Sequence, residues 1–398
     1  MDAKTRVLTA LNHEEPDRVP LFELGIDSAP ILEYYKGASL STLVGLVKLF
    51  RILIPFGWRR FLGWGVKRKF LAKAIGKGIV KFMKNVGYDA TVCPVALIYT
   101  KSAFPKIKGR DGLFYVDEYG RRHFFSKLES GGKQVDVAFY DGGHFDTDNP
   151  EESYEEWGLL DPDHSSRAAS YEAAVKEAKD DIYVIPGIVG VLEGTWEPFG
   201  FPTFTKLLYK KPQFIEKVFR DRGDFAVALA ENMLDLGAET ILVFDDAGHK
   251  NGPFLSPKMY EKFVVPQLKR ICDKVHSYDA KIILHSCGNL YKILDLIVGA
   301  GIDGLHPIEA GSGMDIFQIK EDYGERISLL GNVDPIQILT HGTPESVDAH
   351  VKDLIKGCAP GGGYFLASGH SITYSVPLEN FLAMLEAHQK YSNYPIEL

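Results

Sequence analysis

Short apolar runs rich in β-branched residues recur along the whole chain, and segments with helical spacing of apolar residues separate them. Several of these runs lack polar alternation, which is typical of parallel strands that are buried on both faces. Eight strands alternating with helices predict an α/β fold, a closed (β/α)8 TIM barrel. The eight runs are Arg18–Glu23, Thr91–Ile98, Ile182–Val189, Thr240–Asp245, Lys281–His285, Gly304–Ile308, Ser328–Leu330 and Tyr364–Ala367.

Helix signals fill the spaces between the runs, with one exception. Lys258–His276 follows a Ser256-Pro257 start, and Pro344–Lys356 follows Thr343 as a candidate N-cap. Residues 106–163 are instead rich in Gly, Asp and aromatic residues and contain alternating runs. We interpret 106–163 as a β-hairpin insertion over the barrel mouth.

Polar and titratable residues cluster where the predicted strands end. In barrel enzymes the chemistry lies at the carboxyl ends of the strands. Any one of these residues could be a helix cap or a loop anchor, but their concentration indicates a functional rim. They are Glu23, Glu193, Asp245, Asp246, His285, Cys287, His306, Glu309, Asn332, Asp334, Ser368 and His370.

The stretch HSCGN at 285–289 has the most specific chemistry of the rim. Residues i and i+2 of an extended strand point to the same side, so His285 and Cys287 can aim an imidazole and a thiol at one point. Such a pair suits zinc, although a complete site needs at least one more ligand. A buried cysteine beside a hydrogen-bonded core histidine is the alternative interpretation.

Four widely spaced cysteines without a C-x-x-C pair argue against a disulfide framework and favour a reducing cytoplasm.

The net charge of −8 hides a basic segment, 34–88, which has twelve Lys and Arg and no Asp or Glu. This segment is amphipathic, and charged residues interrupt it too often for a bilayer span. It could cap the barrel, dock an acidic partner protein or lie on a membrane surface, in that order of preference. Nothing in the sequence indicates nucleic-acid binding.

Five motifs resemble the uroporphyrinogen decarboxylase superfamily, and within it the corrinoid-dependent methyltransferases. They are NHEEPDRVP at 12–20, the run GPFLSPKMYEKFVVP within 251–266, HSCGN at 285–289, LGNVDP at 330–335 and GGGYFLASGHSI at 361–372. Because they span almost the whole chain, the resemblance implies one barrel domain over 1–398. Phe22–Asp27 lacks the arginines that would pair with porphyrin propionates in true uroporphyrinogen decarboxylases.

The resemblance also implies a metal site. Zinc methyltransferases of this family use a His-x-Cys strand end plus a cysteine on the last strand, where this chain has His370. The implied zinc ligands are therefore His285, Cys287 and His370, with Glu309 or His306 as alternatives to His370. Asn332, Asp334 and Ser368 are the candidates for cofactor contacts.

The implied activity is zinc-dependent transfer of a methyl group between a small substrate and the corrinoid of a separate protein, since the chain has no cobalamin-binding Asp-x-His-x-x-Gly sequence. An aryl methyl ether is the favoured substrate, with Asp246, Glu193, Glu23 and Glu309 as acid-base candidates. A methylcobamide:thiol methyltransferase, a metal-free decarboxylase and a non-enzymatic binding subunit are the alternatives. The oligomeric state is open, with a homodimer as a candidate.

Overall fold

The computed structural model describes residues 1–36, 69–95, 106–108 and 112–398. Within the described ranges, eight parallel strands form one sheet, in which they lie side by side in chain order. Main-chain bonds also join the ends of this series, because the Leu366 N–H donates to Pro20 O at 3.0 Å and the Ile372 N–H to Gly25 O at 3.0 Å. The predicted barrel is confirmed, and each predicted run overlaps one of its strands. The barrel strands are β1 (Phe22–Glu23), β2 (Ala90–Pro94), β7 (Tyr183–Val189), β8 (Thr240–Phe244), β11 (Lys281–His285), β12 (Gly304–His306), β13 (Ser328–Val333) and β14 (Tyr364–Ser368).

Alternation along the strands sorts their side chains between two cores. Leu242, Ile283 and Leu330 point into the barrel, while their neighbours in sequence pack outward against the helices. The first helix, Ala3–Leu11, places Val7 and Leu11 in the inner core and so closes the amino-terminal end of the barrel. The opposite, carboxyl-terminal end is left for the polar rim.

Helices surround the sheet. The predicted helix at 258–276 is two helices that meet at Val264, because Pro266 has no N–H to continue the first one. The predicted cap is confirmed, since the Thr343 hydroxyl accepts the Ser346 N–H. The helices of the described ranges are α1 (Ala3–Leu11), α2 (Ala29–Tyr34), α3 (Lys69–Val86), α4 (Pro150–Trp157), α5 (Ser165–Ala178), α6 (Glu193–Phe199), α7 (Phe201–Lys210), α8 (Pro212–Asp235), α9 (Pro257–Phe263), α10 (Val265–His276), α11 (Leu294–Gly299), α12 (Ile316–Tyr323), α13 (Pro344–Cys358) and α14 (Leu378–Tyr391).

The insertion is larger than the predicted hairpin. It is a four-stranded antiparallel sheet, here called the roof sheet, followed by α4. The Ser130 hydroxyl, at the end of the third roof strand, donates to Tyr374 O at 2.6 Å, beyond β14. The other end of the roof sheet meets α6, beyond β7, so the roof sheet crosses the carboxyl-terminal side of the barrel. Its strands are β3 (Lys106–Lys108), β4 (Gly112–Val116), β5 (Arg121–Ser130) and β6 (Lys133–Gly143).

The predicted basic amphipathic segment, 34–88, is described only at its ends, and 37–68 lie outside the described residues. The later end is the helix α3, whose apolar side packs against α5. A Cβ at Gly76 would lie 2.4 Å from Ser170 O, so the two helices approach more closely than a larger residue allows. Lys73, Lys77 and Lys81 are exposed on its other side. Within the described ranges, no helix combines the length and apolar character needed to cross a membrane.

A single buried arginine joins the roof sheet to α6. The Arg121 guanidinium donates to Asp117 at 2.6 Å, Glu193 at 2.6 Å and Glu197 at 3.1 Å. Burial, followed by Glu197, raises the pKa of Glu193 well above its ordinary value, although Arg121 opposes the shift. Burial also raises the pKa of the Asp117 carboxyl, but Arg121 and His123 outweigh this and lower it to about 2. One cation thus holds three crowded carboxyl groups together.

We expect Arg121→Met to lower the free energy of unfolding by about 3–5 kcal/mol at pH 8, because it leaves buried carboxylates without their cation. The raised pKa of Glu193 means that its carboxyl stabilises the fold most fully below its ordinary pKa and less as the pH rises. The loss of unfolding free energy in Arg121→Met should therefore be smaller at pH 5 than at pH 8. Urea denaturation at both pH values measures it.

Arg122→Met is the matched control, since Arg122 is the next residue of β5 and its side chain is 42% exposed. A surface ion pair contributes about 0–1 kcal/mol, so this variant should be nearly as stable as the unmodified protein. Equal losses in the two variants would contradict the assigned role of Arg121.

Candidate metal centre and active site

The strand β11 delivers His285 and Cys287 to the same place. It pairs in register with β8 and β12, so His285 lies beside Phe244 on one side and His306 on the other. His285 Nε2 and Cys287 Sγ are 3.6 Å apart, as the i, i+2 spacing predicts. The imidazole of His285 is buried, and burial lowers its pKa to about 4, which leaves it neutral near pH 7. A neutral imidazole is the form that binds metals.

Asp246 brings a third donor atom to the pair. This residue directly follows the buried Asp245 at the end of β8, and its Oδ1 lies 3.6 Å from His285 Nε2. The same oxygen accepts the Cys287 N–H at 2.8 Å, which holds the two loops together. One donor atom from each of Asp246, His285 and Cys287 lies within 4.8 Å of the others. Donors around tetrahedral zinc are about 3.3–3.5 Å apart, given bonds of about 2.0–2.3 Å, so the group needs little adjustment.

His370, predicted as the third ligand, lies outside this group of three. Its ring centroid is 6.1 Å from that of His285, and its Nδ1 lies 3.0 Å from Ser371 Oγ. The structure thus brings Asp246, predicted as an acid-base group, beside His285 and Cys287, while the role of His370 as a ligand stays a prediction. The spacing from strand β8 to the loop after β11 is a property of the folded sheet, and the linear sequence contains no sign of it.

The two alternative third ligands have other partners. His306 Nδ1 lies 2.7 Å from His285 Nδ1, so His306 is behind the metal-facing imidazole. Glu309 Oε2 accepts the Gly288 N–H at 2.7 Å. At Gly288 φ is +89°, and a Cβ there would lie 2.2 Å from Gly248 C. Only glycine fits this position, so Glu309 and Gly288 together fix the loop that carries Cys287.

Electrostatics at the group favour a bound cation. Burial raises the pKa of the Cys287 thiol well above its usual value, and the carboxylates of Asp246 and Glu309 raise it further. Glu193 lies beside them, since its Oε2 accepts the Asp246 N–H at 3.4 Å. Three carboxyl groups and a thiol therefore meet in one partly buried region.

Asp245, which the sequence placed in the polar rim, is a structural anchor. Its carboxylate accepts the Glu193 N–H at 2.8 Å and the Leu192 N–H at 3.2 Å. Burial raises the pKa of Asp245 to about 7. These bonds hold the start of α6, which in turn places Glu193.

Glu23 is a fully buried acid at the end of β1. Its carboxyl accepts the Leu24 N–H at 3.0 Å and the Ser368 N–H at 3.3 Å. Burial raises the pKa of Glu23 to about 8, so the group holds a proton at neutral pH. Ser368, a predicted cofactor contact, is itself buried in β14 and meets Glu23 through its main chain.

Asn332 and Asp334, the other predicted cofactor contacts, are engaged with main-chain groups. Asn332 Nδ2 donates to Ile308 O, which ties the loop after β12 to β13. Asp334 Oδ1 accepts the N–H groups of Ile336 and Gln337, both at 2.8 Å. Arg121 is the main contributor to the site that sequence reasoning missed, because it lies in the insertion and no motif marks it.

Comparison with known proteins places the chain among two kinds of relatives. A family model described as uroporphyrinogen decarboxylase (URO-D) matches residues 161–391. Methylcobamide:CoM methyltransferase MtbA of Methanosarcina acetivorans is 32% identical over 170 residues, 42% of this chain and 47% of that protein. A uroporphyrinogen decarboxylase of Coxiella burnetii is 28% identical over 195 residues, 48% of this chain and 52% of that protein. The chain thus spans about half the length of these curated relatives.

One solved structure extends the likeness to the whole chain. A methyltransferase from Methanosarcina mazei aligns with a TM-score of 0.69 and covers 98% of this chain and 99% of that one. At 19% sequence identity, this match shows the fold alone.

The buried carboxyl of Glu23 should make stability depend on pH. Because the pKa of Glu23 is raised in the fold, its contribution is complete below pH 4.5 and is lost as the pH rises through about 8. One proton accounts for at most about 1.4 kcal/mol per pH unit. We expect Glu23→Gln to remove this slope when unfolding free energies are measured by urea denaturation from pH 5 to pH 9. Parallel curves for the two proteins would show that Glu23 is ionised in the folded state.

Proposed function

The chain belongs to the uroporphyrinogen decarboxylase family, and from this premise we propose that it is a zinc-dependent, corrinoid-dependent methyltransferase. The methyl group moves between a small substrate and the corrinoid of a separate protein. Family membership alone does not choose this reaction, because relatives of both kinds match at similar identity. The observation that carries the proposal is the convergence of Asp246, His285 and Cys287 at the carboxyl-terminal end of the barrel.

The donor set fits zinc. One imidazole nitrogen, one thiol sulfur and one carboxylate oxygen are ligand types that zinc accepts, and the sulfur makes magnesium or calcium a poor match. Three protein donors leave a fourth position open, which is the arrangement of catalytic rather than structural zinc. Zinc held there would act as a Lewis acid toward the oxygen or sulfur atom that exchanges the methyl group.

Decarboxylation of uroporphyrinogen is disfavoured by the segment after β1. Residues 22–27 contain no arginine, whereas a substrate with eight carboxylates needs guanidinium groups to bind it. The acidic residue of this segment, Glu23, is buried and bonded to main-chain N–H groups. A metal-free decarboxylase acting on a smaller substrate is the alternative that the tests below address.

The favoured reaction is demethylation of an aryl methyl ether. The cobalt(I) of the corrinoid supplies an electron pair to the methyl carbon, the carbon–oxygen bond breaks, and a phenolate leaves as methylcobalt(III) forms. Of the chain's own acids, Glu193 lies beside the group of three donors and burial raises its pKa well above the ordinary value, so we assign it the role of returning a proton to the phenolate. Glu193 also positions Asp246, because the Glu193 Oε2 accepts the main-chain N–H of Asp246.

A thiol acceptor is the second candidate, and the printed name of the relative MtbA, Methylcobamide:CoM methyltransferase, favours it. In that direction a thiolate attacks the methyl group of methylcobalt(III), the cobalt–carbon bond breaks, and cobalt(I) keeps the electron pair. The same three donors serve both directions, so the substrate pocket must decide between them.

The corrinoid protein would dock at the barrel mouth. Within the basic segment 34–88, which could dock an acidic partner protein, Arg59, Arg60, Lys67 and Arg68 lie outside the described residues. Most of the described part of the basic segment is α3, which packs its apolar side against α5 and exposes Lys73, Lys77 and Lys81 on its other side. This arrangement favours electrostatic attraction to an acidic protein surface over insertion into a membrane. A cytoplasmic location and a homodimer remain expectations.

Metal analysis tests the ligand set. We expect about one zinc per chain after dialysis against a weak chelator, and its loss from both His285→Ala and Asp246→Ala. His370→Ala is the matched control and should keep its zinc, because His370 is outside the group of three donors. Loss from His370→Ala with retention in Asp246→Ala would restore the ligand set implied by the sequence resemblance. A zinc-supplemented protein without metal would favour the metal-free decarboxylase.

Methyl transfer tests the reaction. Cys287→Ser should lose at least about 100-fold in activity, since even groups outside the ligand set cost about 10–100-fold at metal sites. The assay follows methylcobalamin absorbance, with cob(I)alamin plus an aryl methyl ether in one direction and methylcobalamin plus a thiol in the other. Cys272→Ser, which alters a buried thiol of α10, is the control and should remain active. A fully active Cys287→Ser variant would contradict the proposal.

A further inference from the structure

A pair of histidines lies at the base of the proposed metal site. His285 and His306 are register partners on the parallel strands β11 and β12, so their side chains leave the same face of the sheet. Their Nδ1 atoms are 2.7 Å apart, and their rings are 4.9 Å apart at an angle of 30°. Phe22, from β1, packs edge-on against His306 at 5.3 Å. Both rings therefore occupy the interior of the barrel, where they cannot turn freely.

The 2.7 Å contact is a hydrogen bond in which one imidazole donates its Nδ1–H and the other accepts with an unprotonated Nδ1. A hydrogen bond between two Nδ1 atoms has one donor and one acceptor, and a neutral imidazole carries a single N–H. If His306 were the donor, the proton of His285 would lie on Nε2, the atom that faces Cys287 and Asp246. A protonated Nε2 cannot bind a metal ion.

We infer that His306 is a positioning residue that sets the tautomer of His285 for zinc binding. This inference rests on the proposed function and deepens it. In the zinc-bound protein His285 Nδ1–H donates to His306 Nδ1, and His285 Nε2 is free of a proton and directed at the metal. His306 then carries its own proton on Nε2, which is buried and has no hydrogen-bond partner among the described residues.

His306, the proposed acceptor of the His285 Nδ1–H, is a neutral ring and not a charged carboxylate. Metal-bound histidines commonly donate their second N–H to a carboxylate, a main-chain carbonyl or water, which fixes the ring and raises its basicity. The neutral ring of His306 fixes His285 without adding negative charge to the site. The zinc therefore remains a stronger Lewis acid than it would be with a carboxylate behind the same ligand.

Zinc affinity tests the inference apart from catalysis. The probe is zinc alone, in competition with a chromogenic chelator, and wild type is compared with His306→Phe and His306→Asn. We expect His306→Phe, which has no acceptor, to weaken zinc binding about 10–100-fold. His306→Asn, whose side-chain oxygen can accept the Nδ1–H, should recover part of that loss. His276→Asn is the control, because His276 is an exposed histidine paired with Asp303.

A second measurement does not depend on any variant. Nitrogen-15 NMR of the zinc-loaded wild-type protein, labelled at histidine, reports which ring nitrogen carries each proton. We expect an Nδ1–H tautomer for His285, assigned by its loss in His285→Ala, and an Nε2–H tautomer for His306.

The outcomes separate this inference from the proposed function. Unchanged zinc affinity in a folded His306→Phe protein, or an Nδ1–H tautomer at His306, would overturn the inference while the methyltransferase proposal stands. A wild-type protein that binds no zinc would overturn both. A purely structural His306 would lower the unfolding midpoint of His306→Phe and leave the zinc affinity of the folded protein unchanged, which also counts against the inference.

Discussion

The register of β11 between β8 and β12 is the constraint on which the site depends. It places His285 beside His306 on one neighbouring strand and beside Phe244 on the other. Phe244 is two residues before Asp246. Side chains alternate along a strand with a period of two, so a slip of one residue would turn His285 toward the outer helices and separate it from His306 and Asp246. The apolar residues Ile283 and Leu284, which face the inner and outer cores respectively, resist such a slip. Packing of ordinary core residues thus aligns the metal donors.

Most of the polar rim serves the loops rather than a ligand. Asp245, Glu309 and Asp334 each accept main-chain N–H groups, which would otherwise remain unpaired where the strands end. Loops at the end of a barrel have few ladder partners, so short carboxylate side chains satisfy their donors. A concentration of acidic residues at a barrel rim is therefore weak evidence of catalysis by itself. The stronger evidence is the meeting of imidazole, thiol and carboxylate atoms at one point.

The part of the chain before residue 161 and the part after it differ in how well they match relatives. The family model begins at residue 161, after the roof sheet, and covers the strands that carry all three metal donors. The structural match, by contrast, covers nearly the whole chain. The roof sheet is attached to the site through Arg121, whose three carboxyl partners include Glu193. An insertion that reaches the rim in this way can shape the region beside the candidate metal donors.

The sequence by itself determined the architecture and the closeness of two of the three candidate metal donors. Short apolar runs rich in β-branched residues predicted all eight barrel strands, because the composition and spacing of such runs are local properties of the chain. Strand geometry also predicted the closeness of His285 and Cys287, which are two residues apart. The third donor, the histidine pair and the role of Arg121 were decided only by the tertiary structure. Asp246 is about forty residues from Cys287, and His306 and Arg121 reach the site from other strands. Their proximity follows from sheet register and from the path of an insertion, and no local pattern encodes either.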